Sequence, residues 1–258
     1  MKSFVSIFAG LCLCGSILSA QFILDFDDPT IPVANGEIIN SQYSAKYGVA
    51  VDSVWSLTNT NSRNKPAIIF DSTDTPGDPG DDDVPTGGDT DLETPNPAGH
   101  ASNTSPLENV LIVSEDKFSG PGDSDYLSLP GGGFAAKNPD DNAGGGTLEF
   151  TFSTPATLSF LEILDIEEAG GSFVGVQTGG NQLVKNLPAP GDSSYQKVDF
   201  TDWDSIEILY VDFVGSGAVA SLSYTPIPEP RTIALGGMAL LLGFLALRKR
   251  LTLRRRKH

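Results

Sequence analysis

Thr147-Leu148-Glu149-Phe150-Thr151-Phe152 alternates polar and apolar residues at every step, and Thr157 to Ile166, TLSFLEILDI, follows after Ser153-Thr154-Pro155-Ala156. Period-two alternation places Leu148, Phe150 and Phe152 on one face of a half-buried strand, with Glu149 and Thr151 on the other. The same alternation returns at Ile206, Ile208 and Tyr210. Working outward, runs rich in β-branched and aromatic residues stand between clusters of Gly, Pro and Asp. They are Phe22 to Phe26, Glu37 to Ile39, Gly48 to Leu57, Ala67 to Phe70, Asn109 to Ser114, Ser172 to Gln177, Gln182 to Asn186, Gln196 to Phe200, Ser205 to Phe213 and Ala218 to Tyr224. No segment between Gln21 and Tyr224 reads as a helix. The pattern predicts an all-β chain, a β-sandwich of jelly-roll topology.

Two stretches interrupt the strands. Asp71 to Pro106 carries no apolar period and reads as a long loop, because strands resume after it. Gly131 to Gly146 reads as a shorter Gly-Asp loop.

The ends differ from the middle. Met1 to Ala20 has one charge, Lys2, then no charged residue from Ser3 to Ser19, and closes on Leu18-Ser19-Ala20. That layout predicts a secretory signal peptide cut by signal peptidase after Ala20. Cys12 and Cys14 both fall inside it, each after a Leu where lipid attachment requires a small residue. At the other end, Thr232 to Leu247 reads TIALGGMALLLGFLAL without a charge. As a helix it would span ~24 Å, at the short limit for a bilayer core. Its apolar residues surround the helix instead of forming a stripe, which predicts one membrane span. Arg248, Lys249, Arg250, Arg254, Arg255, Arg256 and Lys257 follow, and basic residues flanking a span stay on the cytoplasmic side.

Charge divides the same way. All 33 acidic residues lie between Gln21 and Pro230, where only seven of the 16 basic residues stand, so this portion carries −26 against −17 for the whole chain. Such acidity repels nucleic acid and attracts cations such as calcium. With both cysteines inside the leader, disulfides are not expected. The roughly 210 residues between the ends can bury a core without them, as one domain.

Before the apolar segment stands Pro226-Ile227-Pro228-Glu229-Pro230-Arg231, where alternate prolines favour an extended chain over helix or sheet. Pro228-Glu229-Pro230, then the apolar segment 232–247, then the basic tail 248–258, resembles the PEP-CTERM sorting signal of Gram-negative bacteria. The resemblance implies recognition by exosortase, an inner-membrane enzyme similar to cysteine transpeptidases. It also implies an exported chain held at the inner membrane and then sorted to the cell envelope or extracellular matrix. The middle of the chain is similar to an extracellular β-sandwich domain of envelope-sorted bacterial proteins, through Gly36-Glu37-Ile38-Ile39, Gln42-Tyr43, Gly48-Val49, Gly88 to Pro95, Leu111 to Asp116, Gly145 to Phe150 and Phe213 to Ala218. More distantly it resembles carbohydrate-binding jelly rolls that hold a calcium near their first and last strands. Here the last strand, Ala218 to Leu222, lacks a carboxylate. Three parts result: a signal peptide at 1–20, an acidic ectodomain at 21–225 with its long loop at 71–106, and a sorting signal at 226–258.

Candidate chemistry is sparse. Asp27 and Asp28 beside the first strand, and Asp89 and Asp91 in the long loop, are the candidate calcium ligands, since alternate Asp in a tight loop can supply hard oxygens. Asp89, Asp91 and Glu93 imitate the start of an EF-hand, but Thr94 and His100 stand where that loop needs Gly and Glu. His100 is the sole histidine of the exported part, and no Gly-x-Ser-x-Gly elbow accompanies it, which argues against triad chemistry. Glu162, Asp165, Glu167 and Glu168 cluster as carboxylates of the kind glycosidases use. Tyr126 and Trp203, flanked by loop signals, are the candidate sugar platforms, whereas Trp55 and Tyr210 are expected to pack inside. The expected function is a non-enzymatic structural or adhesive role beside an exopolysaccharide, with a carbohydrate-binding module and a carboxylate glycosidase as the alternatives.

Overall fold

Leu148, Phe150 and Phe152 all enter one apolar core, as their alternation predicts, in a computed structural model that describes residues 20–54, 65–73 and 90–228. The strands are β1 (Phe22–Asp25), β2 (Val49–Val54), β3 (Ala67–Asp71), β4 (Asn109–Val113), β5 (Tyr126–Ser128), β6 (Phe134–Ala136), β7 (Gly146–Ile166), β8 (Ser172–Gln177), β9 (Gln182–Asn186), β10 (Gly191–Asp199), β11 (Ile206–Phe213) and β12 (Ala218–Pro226). Ten of them form one antiparallel sheet, and β5 and β6 form a small second one. The chain is therefore all-β, with Gln21 to Ile227 as one compact body.

The two strands expected at 147–152 and 157–166 are a single 21-residue strand, β7. Its first half pairs with β2 and β11, its second half with β12 and β10. Pro155 sits where the partners change, a position at which a residue without an N–H costs no ladder bond. Its carbonyl is still used, accepting the N–H of Ile227 at 2.8 Å. One half-sheet thus runs β2-β7-β11-β8-β9, and the other runs from β10 through β7 and β12 to β4 and β3, with β1 also on β12. Val51, Phe150, Leu209 and Phe173 from the first share a core with Leu24, Leu111, Ile163 and Leu222 from the second, so the half-sheets face each other across it.

The second half-sheet is covered on its outer face too. Ile68, Phe70, Val110, Ile112, Leu164 and Ala218 form a separate core with Leu92, Tyr126 and Ala136. Covering both faces explains why Ala67 to Phe70 and Val110 to Val113 read as continuous apolar runs. The roof over this outer core hangs from residues 36–39, which bridge to β6 at Ala135 and to β3 at Ile68. At Gly36, φ is +76° and a Cβ would stand 2.4 Å from the carbonyl oxygen of Ala136, so only glycine fits.

Sequence missed three local features. Residues 44–47 form a one-turn helix, α1 (Ser44–Tyr47), closed by Gly48 at φ 67°, whose N–H donates to Ser44 O. Strands β5 and β6 are only three residues each, below the length at which alternation shows. The far part of the long loop is built into the fold: Leu92 is fully buried, the hydroxyls of Thr94 and Ser72 pair at 2.7 Å, and Asn103 donates to Glu93 O at 2.8 Å. Among the described residues, no helix is long and apolar enough to cross a membrane. The segments 1–19 and 229–258, which hold the expected leader, Glu229, Pro230, the apolar run 232–247 and the basic tail, lie outside the described residues, as does Trp55.

The first and last strands meet at one pole. Phe22 pairs with Tyr224, and Gln21 donates from Nε2 to Ser223 Oγ at 2.7 Å.

Candidate functional site

Both aromatic residues expected to be sugar platforms are core residues. Tyr126 is 5% exposed, its hydroxyl donates to Asp116 O at 3.0 Å, and burial pushes its phenol up to about 12. Trp203 is 7% exposed and packs on Phe200, with ring centres 4.7 Å apart. Its ring also lies where a side chain at position 175 would stand, since a Cβ on Gly175 would be 2.8 Å from Cζ3. The flanking loop signals were real, but the side chains turn inward because aromatic rings bury more apolar area than their neighbours offer. Tyr210, expected inside, is half-buried.

Two of the expected calcium ligands, Asp28 and Asp27, are engaged by protein donors. Asp28 accepts from the Lys46 ammonium, from Thr30 N–H at 2.9 Å and Thr30 Oγ1 at 2.7 Å, and from Tyr47 Oη at 2.9 Å. Lys46 foremost, then the Thr30 donors, hold its carboxyl well below the usual carboxylate range. Asp27 accepts the Asn109 N–H at 2.8 Å; burial foremost, with Glu108 and Asp25 adding repulsion, pushes its carboxyl up to about 6. Asp91 lies in the turn Thr90–Leu92, where burial and then Asp91 itself push the Glu93 carboxyl up. Asp89 lies outside the described residues. Among the described residues, no three acidic, His or Cys side chains are grouped as a metal set.

Two of the four carboxylates considered for glycoside hydrolysis brace the sheet, while Glu167 and Glu168 stand exposed beyond the end of β7. Glu162 accepts from Tyr195 Oη at 2.7 Å and from Ser221 Oγ at 2.6 Å. Asp165 is buried and accepts the Ser193 N–H at 2.7 Å, where β10 shifts register against β7. His100 pairs through Nδ1 with Ser102 Oγ at 2.8 Å, and that oxygen accepts the Tyr195 N–H at 3.0 Å, which fastens the loop to β10.

A cleft that sequence did not single out lies at the rim of the roof. It measures about 850 Å³ between residues 32–42 and the β5–β6 hairpin loop. Ile38, Phe118 and Phe134 supply apolar walls, with the two Phe ring centres 4.8 Å apart. Glu37, Asn40, Ser41 and Gln42 supply the polar side. These side chains are held in place: Glu37 accepts the Ala34 N–H at 2.9 Å, while Gln42 accepts the Asn40 N–H at 2.7 Å and donates to Ile38 O at 2.8 Å. Opposite them, Gly132 and Gly133 take φ of +87° and +93°, and the hairpin loop presents bare backbone to the opening. Pre-set polar groups beside half-buried rings suit an amphipathic ligand with one apolar face and several hydroxyls. The Gly131-Gly132-Gly133 run, with Phe134 directly after it, was the available sequence signal; Phe118, set apart from it in sequence, was not.

The fold and these groups define an all-β protein built on a large antiparallel sheet, with an open mixed-polarity cleft at the rim of its roof. No known protein family matches the chain, and no curated protein does. Among solved structures it is similar to a mutant lectin binding domain of Lectinolysin complexed with Lewis b, at 7% identity over 34% of this chain and 70% of that one, TM-score 0.28. An F5/8 type C domain from Bacteroides fragilis matches at 12% identity over 34% of this chain and 69% of that one, TM-score 0.24. The enzymatically active domain of bacteriophage CBA120 tailspike protein 4 matches at 10% identity over 76% of this chain and 21% of that one, TM-score 0.28. Likenesses this remote assign no ligand.

Proposed function

We propose that this chain is an exported cell-envelope or extracellular-matrix protein with a non-enzymatic structural or adhesive role, delivered by a PEP-CTERM-type signal. The observation that carries the reading is the order Pro228-Glu229-Pro230, uncharged 232–247, then seven basic residues within 248–258. The charge split supports it, with the acids confined to the exported part and the cations concentrated beside the apolar segment. Signal peptidase and exosortase are the processing partners, the inner membrane is the first station, and the ectodomain is a jelly-roll-like sandwich. The direct test replaces Pro228, Glu229 and Pro230 with alanine and follows C-terminal processing and location in the native host. Loss of processing is expected; unchanged processing and location would overturn the reading.

The cleft favours a second reading, carbohydrate binding to an exopolysaccharide. Sugar rings offer an apolar C–H face for Phe118 and Phe134, and hydroxyls for Glu37, Asn40 and Gln42. A glycan array with the purified ectodomain tests it, comparing wild type with Phe134→Ser, a change at a half-buried wall. Binding that disappears in the variant is expected; an array without any binder sinks this reading and leaves the first intact.

A further inference from the structure

Strand β12 is paired to its last residue, Pro226, and the chain is still held one residue further, just short of the Pro-Glu-Pro tripeptide. Tyr224, Thr225 and Pro226 pair in register with Leu158, Thr157 and Ala156 of β7. On the other side Tyr224 faces Phe22 of β1, with ring centres 5.8 Å apart, and its hydroxyl donates to Tyr47 O. Phe152 packs edge-on against the same ring at 5.0 Å. Beyond the strand, Ile227 still donates to Pro155 O at 2.8 Å. The next residue is Pro228.

Only Pro228, Glu229, Pro230 and Arg231 separate Ile227 from the apolar segment that opens at Thr232. Fully extended, the five Cα steps from Ile227 to Thr232 span at most ~18 Å. A processing enzyme binds its substrate as an extended strand on both sides of the bond it cuts. Holding about three residues ahead of Glu229 takes in Pro226, Ile227 and Pro228, two of which are tied into the sheet.

We infer that the folded domain restrains its own C-terminal processing, because the end of β12 must detach from β7 before the enzyme's groove can close around Pro228-Glu229-Pro230. This rests on the sorting reading above. In the step concerned, a peptide C–N bond near the tripeptide breaks and its acyl group passes to the enzyme's cysteine thiol. The thiol's proton goes to the departing amine, and the thioester then passes the acyl group to water or to an amine acceptor. The restraint acts before this chemistry, as local opening of a strand end.

The test is a pulse-chase of the full chain in its native host, comparing four forms. Inserting six Gly and Ser residues between Ile227 and Pro228 leaves the sheet intact and moves the tripeptide away from it. Processing is expected to speed up by about tenfold, the factor for a barrier lowered by about 1.4 kcal/mol. Tyr224→Phe removes one buried hydrogen bond at the strand end and should speed it up by roughly threefold. Alanine in place of Pro228, Glu229 and Pro230 should block processing. If the alanine form is blocked while the insertion form matches wild type, the restraint is refuted and the sorting reading stands. If the alanine form is processed like wild type, the sorting reading fails and the restraint fails with it.

Discussion

The two halves of β7 are one strand with two environments. From Leu148 to Phe152 burial alternates as polarity does, with Glu149 and Thr151 half-exposed on the face away from the core. From Ile163 to Ile166 every residue is buried, because the roof of β5, β6 and the turn Thr90–Leu92 covers the outer face as well. A strand with one wet face writes its register into the sequence, whereas a strand with two dry faces has no polarity difference to write.

The largest expected effect comes from the face both halves share. Phe150→Ala should cost about 3–5 kcal/mol in urea unfolding and bring the whole domain down in one transition; a loss below ~1 kcal/mol would mean the half-sheets do not share a core. Next comes the roof. Ile68 faces the outer core and Ile69 the inner, and both are fully buried. Ile68→Ala should therefore cost about 2–4 kcal/mol, close to Ile69→Ala, while Thr151→Ala on the wet face should stay within about 0.5 kcal/mol. If Ile68→Ala were as mild as Thr151→Ala, the outer face would be solvent and the comparison would break. The smallest effect concerns two neighbouring carboxyls with opposite shifts. Asp27 is raised from 3.8 to about 6, so the fold favours its protonated form and loses stability as pH rises through that window. Asp27→Asn keeps an acceptor for Asn109 and should raise Tm by ~1–2 °C at about pH 7.5, with no gain near pH 3.5. Asp28 is lowered, so its stabilisation is present above its ordinary value and fades as pH falls; Asp28→Asn should lower Tm near neutrality and converge with wild type in acid. Thermal melts across pH check both signs.

The same contrast explains what the sequence made legible. Alternation at Leu148, Phe150 and Phe152 identified the inner face, and turn chemistry located most strand ends. It did not show that Pro155 lies inside a strand, because nothing in a single chain marks where a strand exchanges neighbours. The roof was invisible for another reason: Leu92, Tyr126 and Ala136 come from three segments, and only the fold brings them over Ile68 and Ile112. Tyr126 and Trp203 were expected outside and lie inside, Tyr126 at the start of β5 and Trp203 in a loop, since orientation depends on which partner, Asp116 or Gly175, waits on the inside. The cleft escaped notice because its rings and its polar groups stand roughly 75 residues or more apart in sequence, as Gln42 and Phe118 do.

Gly36 makes the roof separable. Any side chain there meets the Ala136 carbonyl, a backbone atom that cannot swing aside, so the layer would have to lift off β3. Beneath it lie Ile68, Phe70, Val110 and Ile112, a contiguous apolar surface of the sort that soluble chains do not leave bare. Wherever copies are crowded, such a change would matter less as lost stability than as stickiness: neighbours would cover one another's bared sheets, turning dispersed copies into clumps.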